Sequence, residues 1–373
     1  MQNLSKPVLP SFASDPVSPG LENVVAAETV LSHVDGVAGR LIIRSHDLDA
    51  LSDQSFEAVL GLLWKGFSSG PSDEREIQEA LGRARCRVFQ RLEKLLLNTQ
   101  ELSQVEALRL LLSSLADTET DDHHVLAVAC VPVFAAAIIR ERAGLKPVAP
   151  RAASGHAADF LYMLYGQESA PEKVKALNAY LVTVADHGLN ASTFTARVIA
   201  STKAEMFSSV IGALCALKGP LHGGAPGPVL DMLDAIGDEA NIQTWLANAL
   251  ANGQRLMGFG HRIYRVRDPR ADVLKKAVSE LREDGGRIAF AKAVEKTALE
   301  LLAQKKPDRP LQTNVEFYTA LVLEAVGFPR ESFTNVFAAG RMAGWTAHVL
   351  EQDTVGKLIR PQSRYIGPIP VAM

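Results

Sequence analysis

At 373 residues with 47% apolar content, the chain is long enough for two domains, or for one large domain carrying a smaller one. A net charge of −3 creates no strong field, so composition offers no support for a nucleic-acid or membrane-surface partner, and a charged ligand has to be met by local clustering. Aromatic residues make up only 6% while alanine and leucine dominate, which predicts helices packed closely through small side chains.

In chain order, residues 1–20 are polar and proline-rich and read as a flexible tail, without the apolar stretch of a signal peptide. Val24-Val25 and Leu41-Ile42-Ile43 are β-prone pieces separated by the turn residues Asp35-Gly36 and Gly39, predicting one or two small strands. Helical periodicity takes over afterwards. Phe56, Val59, Leu60, Leu63 and Trp64 form one stripe closed by Gly66, and Ser103 with Glu106 forms a capping box ahead of Leu108, Leu111, Leu112 and Leu115. The uncharged run from Val125 to Ile139 contains Pro132 and is shorter than the roughly 20 residues of a membrane span. Pro171 opens a helix whose face carries Val174, Leu177, Leu181 and Val184 and which ends near Ala185, just before His187. Phe207, Val210, Ile211, Leu214 and Leu217 form a further face stopped by Gly219-Pro220, and Val229, Leu230, Leu233 and Ile236 begin the next. Asn314 is placed to cap a helix with Glu316 in its first turn. No β-α-β alternation occurs, so the expectation is an all-α fold with one or two short N-terminal strands.

Three patterns point elsewhere and are set aside on context. Gly66-Phe67-Ser68-Ser69-Gly70 matches the hydrolase elbow, but that elbow follows a strand, whereas here it follows a helix. Asp121-Asp122-His123-His124 offers metal-ligating types, but adjacent side chains at a helix start diverge and no distant partners are evident. Gly258-Phe259-Gly260 lacks the third glycine of a dinucleotide fingerprint. Cys86, Cys130 and Cys215 are widely spaced and odd in number, which suits reduced thiols in the cytoplasm.

The informative feature is a pair of glycine-framed histidines, His222 in Gly219-Pro220-Leu221-His222-Gly223-Gly224-Ala225-Pro226 and His261 in Gly258-Phe259-Gly260-His261-Arg262. Glycine lets backbone approach a ligand, and histidine moves protons near neutral pH. Arg341 sits among Ala338, Ala339, Gly340, Ala343 and Gly344, a stretch of small residues that predicts burial, and a buried arginine needs an anionic partner.

With Asp186-His187-Gly188-Leu189-Asn190-Ala191-Ser192-Thr193-Phe194-Thr195-Ala196-Arg197, the two histidine loops, Asp268-Pro269-Arg270, Thr313-Asn314-Val315-Glu316-Phe317-Tyr318, Ala339-Gly340-Arg341 and Leu358-Ile359-Arg360-Pro361 in this order, the chain resembles the citrate synthase family from about Gly20 to Pro370. The resemblance implies a helical homodimer whose large domain takes residues 1–223 and 328–373 and whose small domain takes residues 224–327. It implies condensation of acetyl-CoA with oxaloacetate and hydrolysis of citryl-CoA, without metal or cofactor. Glu316 is then the base, His222 stabilises the enol, and His261 polarises and protonates the oxaloacetate carbonyl. His187, Arg270, Arg341 and, from the neighbouring subunit, Arg360 bind oxaloacetate. Gly258, Phe259, Gly260 and Arg265 contact CoA. The family ordinarily has aspartate where this chain has Glu316, so the base has an arm one methylene longer. Two neighbouring readings are a 2-methylcitrate synthase using propanoyl-CoA and a non-catalytic relative that binds an acyl-CoA or keto acid.

Overall fold

The structure is a computed structural model that describes residues 18–119, 122–223, 226–261, 263–281, 286–305, 307 and 311–367. Most of the expected tail, Asp121, Gly224, Ala225, Arg262 and parts of the turns around 284 and 307 lie outside the described residues.

The N-terminal region forms a three-stranded antiparallel sheet, β1 (Ser32–Asp35), β2 (Arg40–Ile43) and β3 (His46–Asp47), in that order. The turn falls where Asp35-Gly36 and Gly39 place it, with Asp35 Oδ1 accepting from the amides of Val37 and Ala38. Leu41 and Ile43 are buried, as their spacing demands. Val24-Val25 is not a strand. Both residues are exposed, with nothing to pack against, and β-propensity counts only where a half-buried surface exists. The partner of β2 is instead Ser32–Asp35, a mostly polar segment recruited through backbone pairing.

Everything after β3 is helical: α1 (Leu48–Leu51), α2 (Phe56–Trp64), α3 (Glu74–Leu96), α4 (Gln104–Leu112), α5 (His123–Arg142), α6 (His156–Tyr165), α7 (Pro171–Val184), α8 (Ala191–Ala200), α9 (Glu205–Leu217), α10 (Pro226–Ile236), α11 (Ile242–Ala251), α12 (Pro269–Ser279), α13 (Arg287–Lys305), α14 (Val315–Val326) and α15 (Phe333–Val355). The expected all-α class is therefore what the chain adopts. Local signals set the ends. Ser55 Oγ accepts from the Ala58 amide at the start of α2, and Gly66 takes a left-handed φ of 84° just beyond its end. Glu106 reaches back to the Ser103 amide and hydroxyl ahead of α4. Pro171 is the first residue of α7.

Two helices form the interior. In α5, every residue from His124 to Ile139 is buried, Pro132 included. By length and composition α5 could cross a membrane, but it is enclosed by α3, α4, α6 and α15. The other is α15, buried from Asn335 through Val349. It runs against the end of α7 through two glycines. A Cβ on Gly340 would lie 2.5 Å from Val184 Cγ2, and one on Gly344 would lie 2.5 Å from the Ala185 carbonyl oxygen. The Gly344 amide donates to that same carbonyl at 2.9 Å. This close approach fixes the segment after α7, which holds His187, beside the stretch of α15 that holds Arg341.

Two ionic clusters are sealed in the helical packing. Arg85 of α3 donates to Asp159 of α6 at 2.6 Å and to the Ser154 carbonyl at 2.8 Å, both charged side chains being fully buried. Arg197 of α8 pairs with Glu351 of α15 and donates to Gln352 Oε1 at 3.0 Å.

Candidate active site

His187 follows α7 and is buried. Its Nε2 lies 3.2 Å from the Tyr264 hydroxyl, and its ring meets those of His261 and Tyr264 edge-on at 5.9 and 5.7 Å. Burial, reinforced by Arg270 and Arg341, keeps its pKa well below the ordinary histidine value. The preceding Asp186 accepts from Ser32 Oγ and from His348 Nε2 at 3.2 Å, so the first strand and α15 both brace this turn.

Arg341 is buried as its surroundings in the sequence predict, and its guanidinium lies 5.0 Å from the Phe337 ring. Its Nε donates to the Val184 carbonyl at 2.6 Å, yet no described carboxylate forms an ion pair with it. Burial lowers its pKa to about 10. A cation held in this way is a receptor for an anion.

His222 closes the turn that ends α9. Its amide donates to Gly219, the Gly223 amide donates to Leu217, and a Cβ on Gly223 would lie 2.5 Å from the Leu217 carbonyl oxygen. The ring is fixed from behind, with Nε2 2.8 Å from Ser192 Oγ. That hydroxyl also receives Trp345 Nε1–H at 3.1 Å and lies 2.8 Å from Asn190 Oδ1. Its single proton therefore has two acceptors to choose between. With that proton on Asn190 Oδ1, His222 Nε2–H donates to Ser192 Oγ; when the hydroxyl turns to His222 instead, the ring's proton sits on Nδ1 and that nitrogen becomes the donor. Burial, followed by Arg341, lowers the His222 pKa to about 4, so the ring is neutral at pH 7.

His261 is set by backbone. The amides of Ile263 and Tyr264 both donate to Nδ1, at 3.0 and 3.1 Å. A neutral ring must then carry its proton on Nε2, which faces Arg270 Nη2 at 3.1 Å. The Arg270 Nη2–H is aimed at Nε2 itself, so a ligand oxygen has to draw that N–H aside before Nε2–H can donate to it. Burial, aided by Arg270 and opposed by Asp268, brings the His261 pKa to about 4.

Asp268 was not singled out by sequence reasoning beyond its motif, and it organises this side of the cleft. It caps α12, is almost wholly buried, and grips Arg270 through Nε at 3.0 Å and Nη2 at 2.9 Å. Its Oδ2 also accepts the Val315 amide at 3.1 Å, tying α12 to the start of α14. Burial works against the Arg270 charge, but Asp268 holds its pKa above the ordinary value.

Glu316 occupies the first turn of α14, where Asn314 Oδ1 caps its amide at 3.0 Å as expected. The two glycines of the His261 loop explain how this helix start reaches the histidine. Gly258 and Gly260 have φ of 83° and 81°, and a Cβ on Gly258 would lie 2.8 Å from Phe317 Cβ. Phe259 bridges Thr313, Gly260 N donates to Gln312 O at 2.7 Å, Asn314 N donates to Gly258 O at 2.9 Å, and Asn314 Nδ2 donates to Gly260 O at 2.7 Å. Much of the polar backbone of this loop is thus used in holding α14. Desolvation raises the Glu316 pKa to about 7, against the pull of Arg270 and Arg341 and with a push from Asp268. A carboxyl titrating near neutrality, coupled to Arg270 and Arg341, has the poise of a general base.

His187, His222, His261, Arg270, Arg341 and Glu316, spread over 155 positions of sequence, are thereby brought into one electrostatically coupled cleft. Arg265 is exposed at its rim, its amide bonded to Gly36 O at 2.8 Å. Arg360 is exposed in the extended segment after α15 and has no hydrogen bond or ion pair to a site residue among the described residues. Ser192, Trp345, Tyr264 and Asp268 emerge only from the structure. The set-aside patterns resolve differently. Ser68 follows α2, not a strand, and its hydroxyl lies 3.1 Å from His124 Nε2. His123 and His124 diverge, towards Phe207 and Trp64 respectively.

Comparison with known proteins bears on the family and the fold. The citrate synthase C-terminal domain family matches residues 20–362. Citrate synthase 2 of Bacillus subtilis is 37% identical over 361 residues, covering 94% of this chain and 95% of the relative. The 2-methylcitrate synthase of Mycobacterium tuberculosis is 35% identical over 367 residues, covering 94% and 91%. The citrate synthase of Thermoplasma acidophilum, solved as a ternary complex with carboxymethyl coenzyme A and oxaloacetate, superposes with a TM-score of 0.85 at 26% identity, covering 96% of this chain and 98% of that one. A helical fold of this kind, a cleft of neutral histidines and arginines, and matches spanning nearly the whole length lead to one conclusion: the chain belongs to the citrate synthase family.

Proposed function

We propose that this enzyme is a citrate synthase, an acyltransferase that condenses acetyl-CoA with oxaloacetate and hydrolyses the citryl-CoA formed. Glu316 removes a methyl proton from acetyl-CoA while His222 donates to the thioester oxygen, so that charge developing on the enolate is met as it forms. The nucleophilic carbon attacks the ketone carbon of oxaloacetate, the ketone oxygen takes its proton from His261 Nε2, and the proton held by Glu316 returns through water to His261, which restores both groups. Water then cleaves the thioester of citryl-CoA to give citrate and CoA. Each step closes on the chain's own groups, so the reaction as written uses no metal or cofactor.

The observation that carries this reading is a carboxyl with a pKa of about 7 coupled to the same two buried arginines, Arg270 and Arg341, that lower the pKa of His187. Arg341, without an ion-pair partner among the described residues, supplies with Arg270 and His187 the charge and hydrogen bonds that oxaloacetate needs. Arg360 completes the carboxylate site from the partner in a homodimer, as its exposure in an extended segment permits. Gly258, Phe259, Gly260 and Arg265 form the CoA side. Residues 224–327 act as the small domain that closes over the cleft, and the enzyme works in the cytoplasm.

The test is release of free CoA thiol by purified protein with oxaloacetate, comparing acetyl-CoA and propanoyl-CoA by kcat/KM. A preference for acetyl-CoA is the expected result. One extra methylene is worth only about 1–3 kcal/mol of discrimination, so equal or better use of propanoyl-CoA moves the assignment to 2-methylcitrate synthesis. No thiol release with either leaves a non-catalytic binding protein.

A further inference from the structure

Tyr180 of α7 lies outside the machinery described so far. Its side chain is fully buried, and its hydroxyl has no hydrogen-bond partner among the described residues. A buried hydroxyl without a partner is costly, and such groups in native interiors call for a reason. The location supplies one. Helix α7 packs against α12, α14 and α15, the helices that carry Arg270, Glu316 and Arg341. The hydroxyl is within electrostatic reach of both the Glu316 carboxyl and the Arg341 guanidinium, and burial, followed by Glu316, holds its pKa well above the ordinary tyrosine value. It is therefore a permanent carrier of one proton. Arg341 can only donate, so any contact with it is accepted by the phenol oxygen and leaves that proton for another group. The Glu316 carboxylate, in turn, receives no side-chain donor among the described residues.

We propose that Tyr180 is a positioning residue that donates a hydrogen bond to the Glu316 carboxylate when the glutamate arm turns inward, thereby setting the angle and basicity of a base that is one methylene longer than aspartate. The proposal rests on Glu316 being the base. A bond to the charged form of a carboxyl lowers its pKa, so the tyrosine keeps the base ionised at neutral pH against the desolvation around it.

The experiment is Tyr180→Phe, read by kcat, oxaloacetate KM, the pH profile of kcat and Tm, with Glu316→Gln as a control and Glu316→Asp as a second background. A lost hydrogen bond to a charged group corresponds to about a tenfold fall in kcat at neutral pH and to an acid limb moved up by about one pH unit. Oxaloacetate KM stays unchanged, and Tm holds or rises because the hydroxyl had no partner to lose. In the Glu316→Asp background, whose arm cannot reach, Tyr180→Phe adds nothing. An unchanged pH profile overturns the proposal whether or not kcat falls, since a packing defect lowers kcat without moving the limb. Equal losses in both backgrounds also overturn it. Substantial turnover by Glu316→Gln instead removes the base assignment, independently of what Tyr180→Phe shows.

Discussion

Arg85 and Arg341 are both sealed inside the helical packing, and they are held in opposite ways. Arg85 has a carboxylate at 2.6 Å and a carbonyl at 2.8 Å, and its charge is answered within the fold. Arg341 has one carbonyl on Nε and an aromatic face, and its charge is left open towards the cleft. The same contrast separates Asp159, paired with Arg85, from Glu316, whose carboxyl titrates near neutrality. Burial alone does not distinguish a structural charge from a functional one. What distinguishes them is whether the fold completes the charge or leaves its completion to a ligand.

The contrast can be broken most severely at the base. Glu316→Gln should lower kcat by roughly 10²–10⁴-fold while oxaloacetate affinity stays nearly constant, measured by thiol release and by direct binding. Oxaloacetate binding that collapses along with turnover would show that Glu316 belongs to the binding half of the site. The arginines give the next largest effects, and in different observables. Arg341→Met should weaken oxaloacetate binding by roughly 2–5 kcal/mol with little loss of stability in the free enzyme, because no anion is orphaned. Arg85→Met strands Asp159 and should cost about 3–5 kcal/mol in denaturant unfolding, with the remaining folded enzyme binding oxaloacetate normally. A smaller effect is expected at Gly258, where alanine meets both an unfavourable φ and the Phe317 Cβ. A displacement of Glu316 by about 1 Å would cost up to about 100-fold in kcat, at an oxaloacetate affinity close to the parent's.

The pH dependence sharpens the comparison further. Activity should rise through about pH 7 as Glu316 ionises. Its folded pKa lies above the ordinary glutamate value of 4.5, so the native state holds the proton more tightly than the unfolded chain, and this group's contribution to stability falls as pH rises from about 4.5 to about 7. His222 and His261 act in the opposite sense. Their pKa values are lowered from 6.5 to about 4, so their contribution rises with pH across that interval. Unfolding of the parent and of Glu316→Gln, followed from pH 4.5 to 8, should therefore diverge progressively in favour of the variant. Parallel curves would place the Glu316 carboxyl in an ordinary solvated environment.

Much of this was legible in the sequence because it is local. Capping at Ser55 and Asn314, the stop at Gly219-Pro220 and the small residues around Arg341 each act within a few positions, and the structure honours them. The first strand was misplaced because Ser32–Asp35 carries little β-propensity and pairs only because β2 offers an edge. Ser192 could be read as part of a motif, but not as the support of His222, since that role needs Trp345, 153 positions away. Asp268 likewise gains its second task only when α12 and α14 meet, and nothing along the chain marks the Tyr180 hydroxyl as partnerless.

The short backbone bridge between residues 258–260 and 312–314 has a geometric meaning. His261 leaves one side of it and Glu316 the other, so the proposed proton acceptor and the proposed activator of the electrophile are mounted on a common bracket. His222 is mounted elsewhere, on Ser192 and Trp345. On the roles proposed above, the spacing between Glu316 and His261 is set by one short backbone bridge, whereas the spacing between Glu316 and His222 depends on how α8, α9 and α15 pack against it.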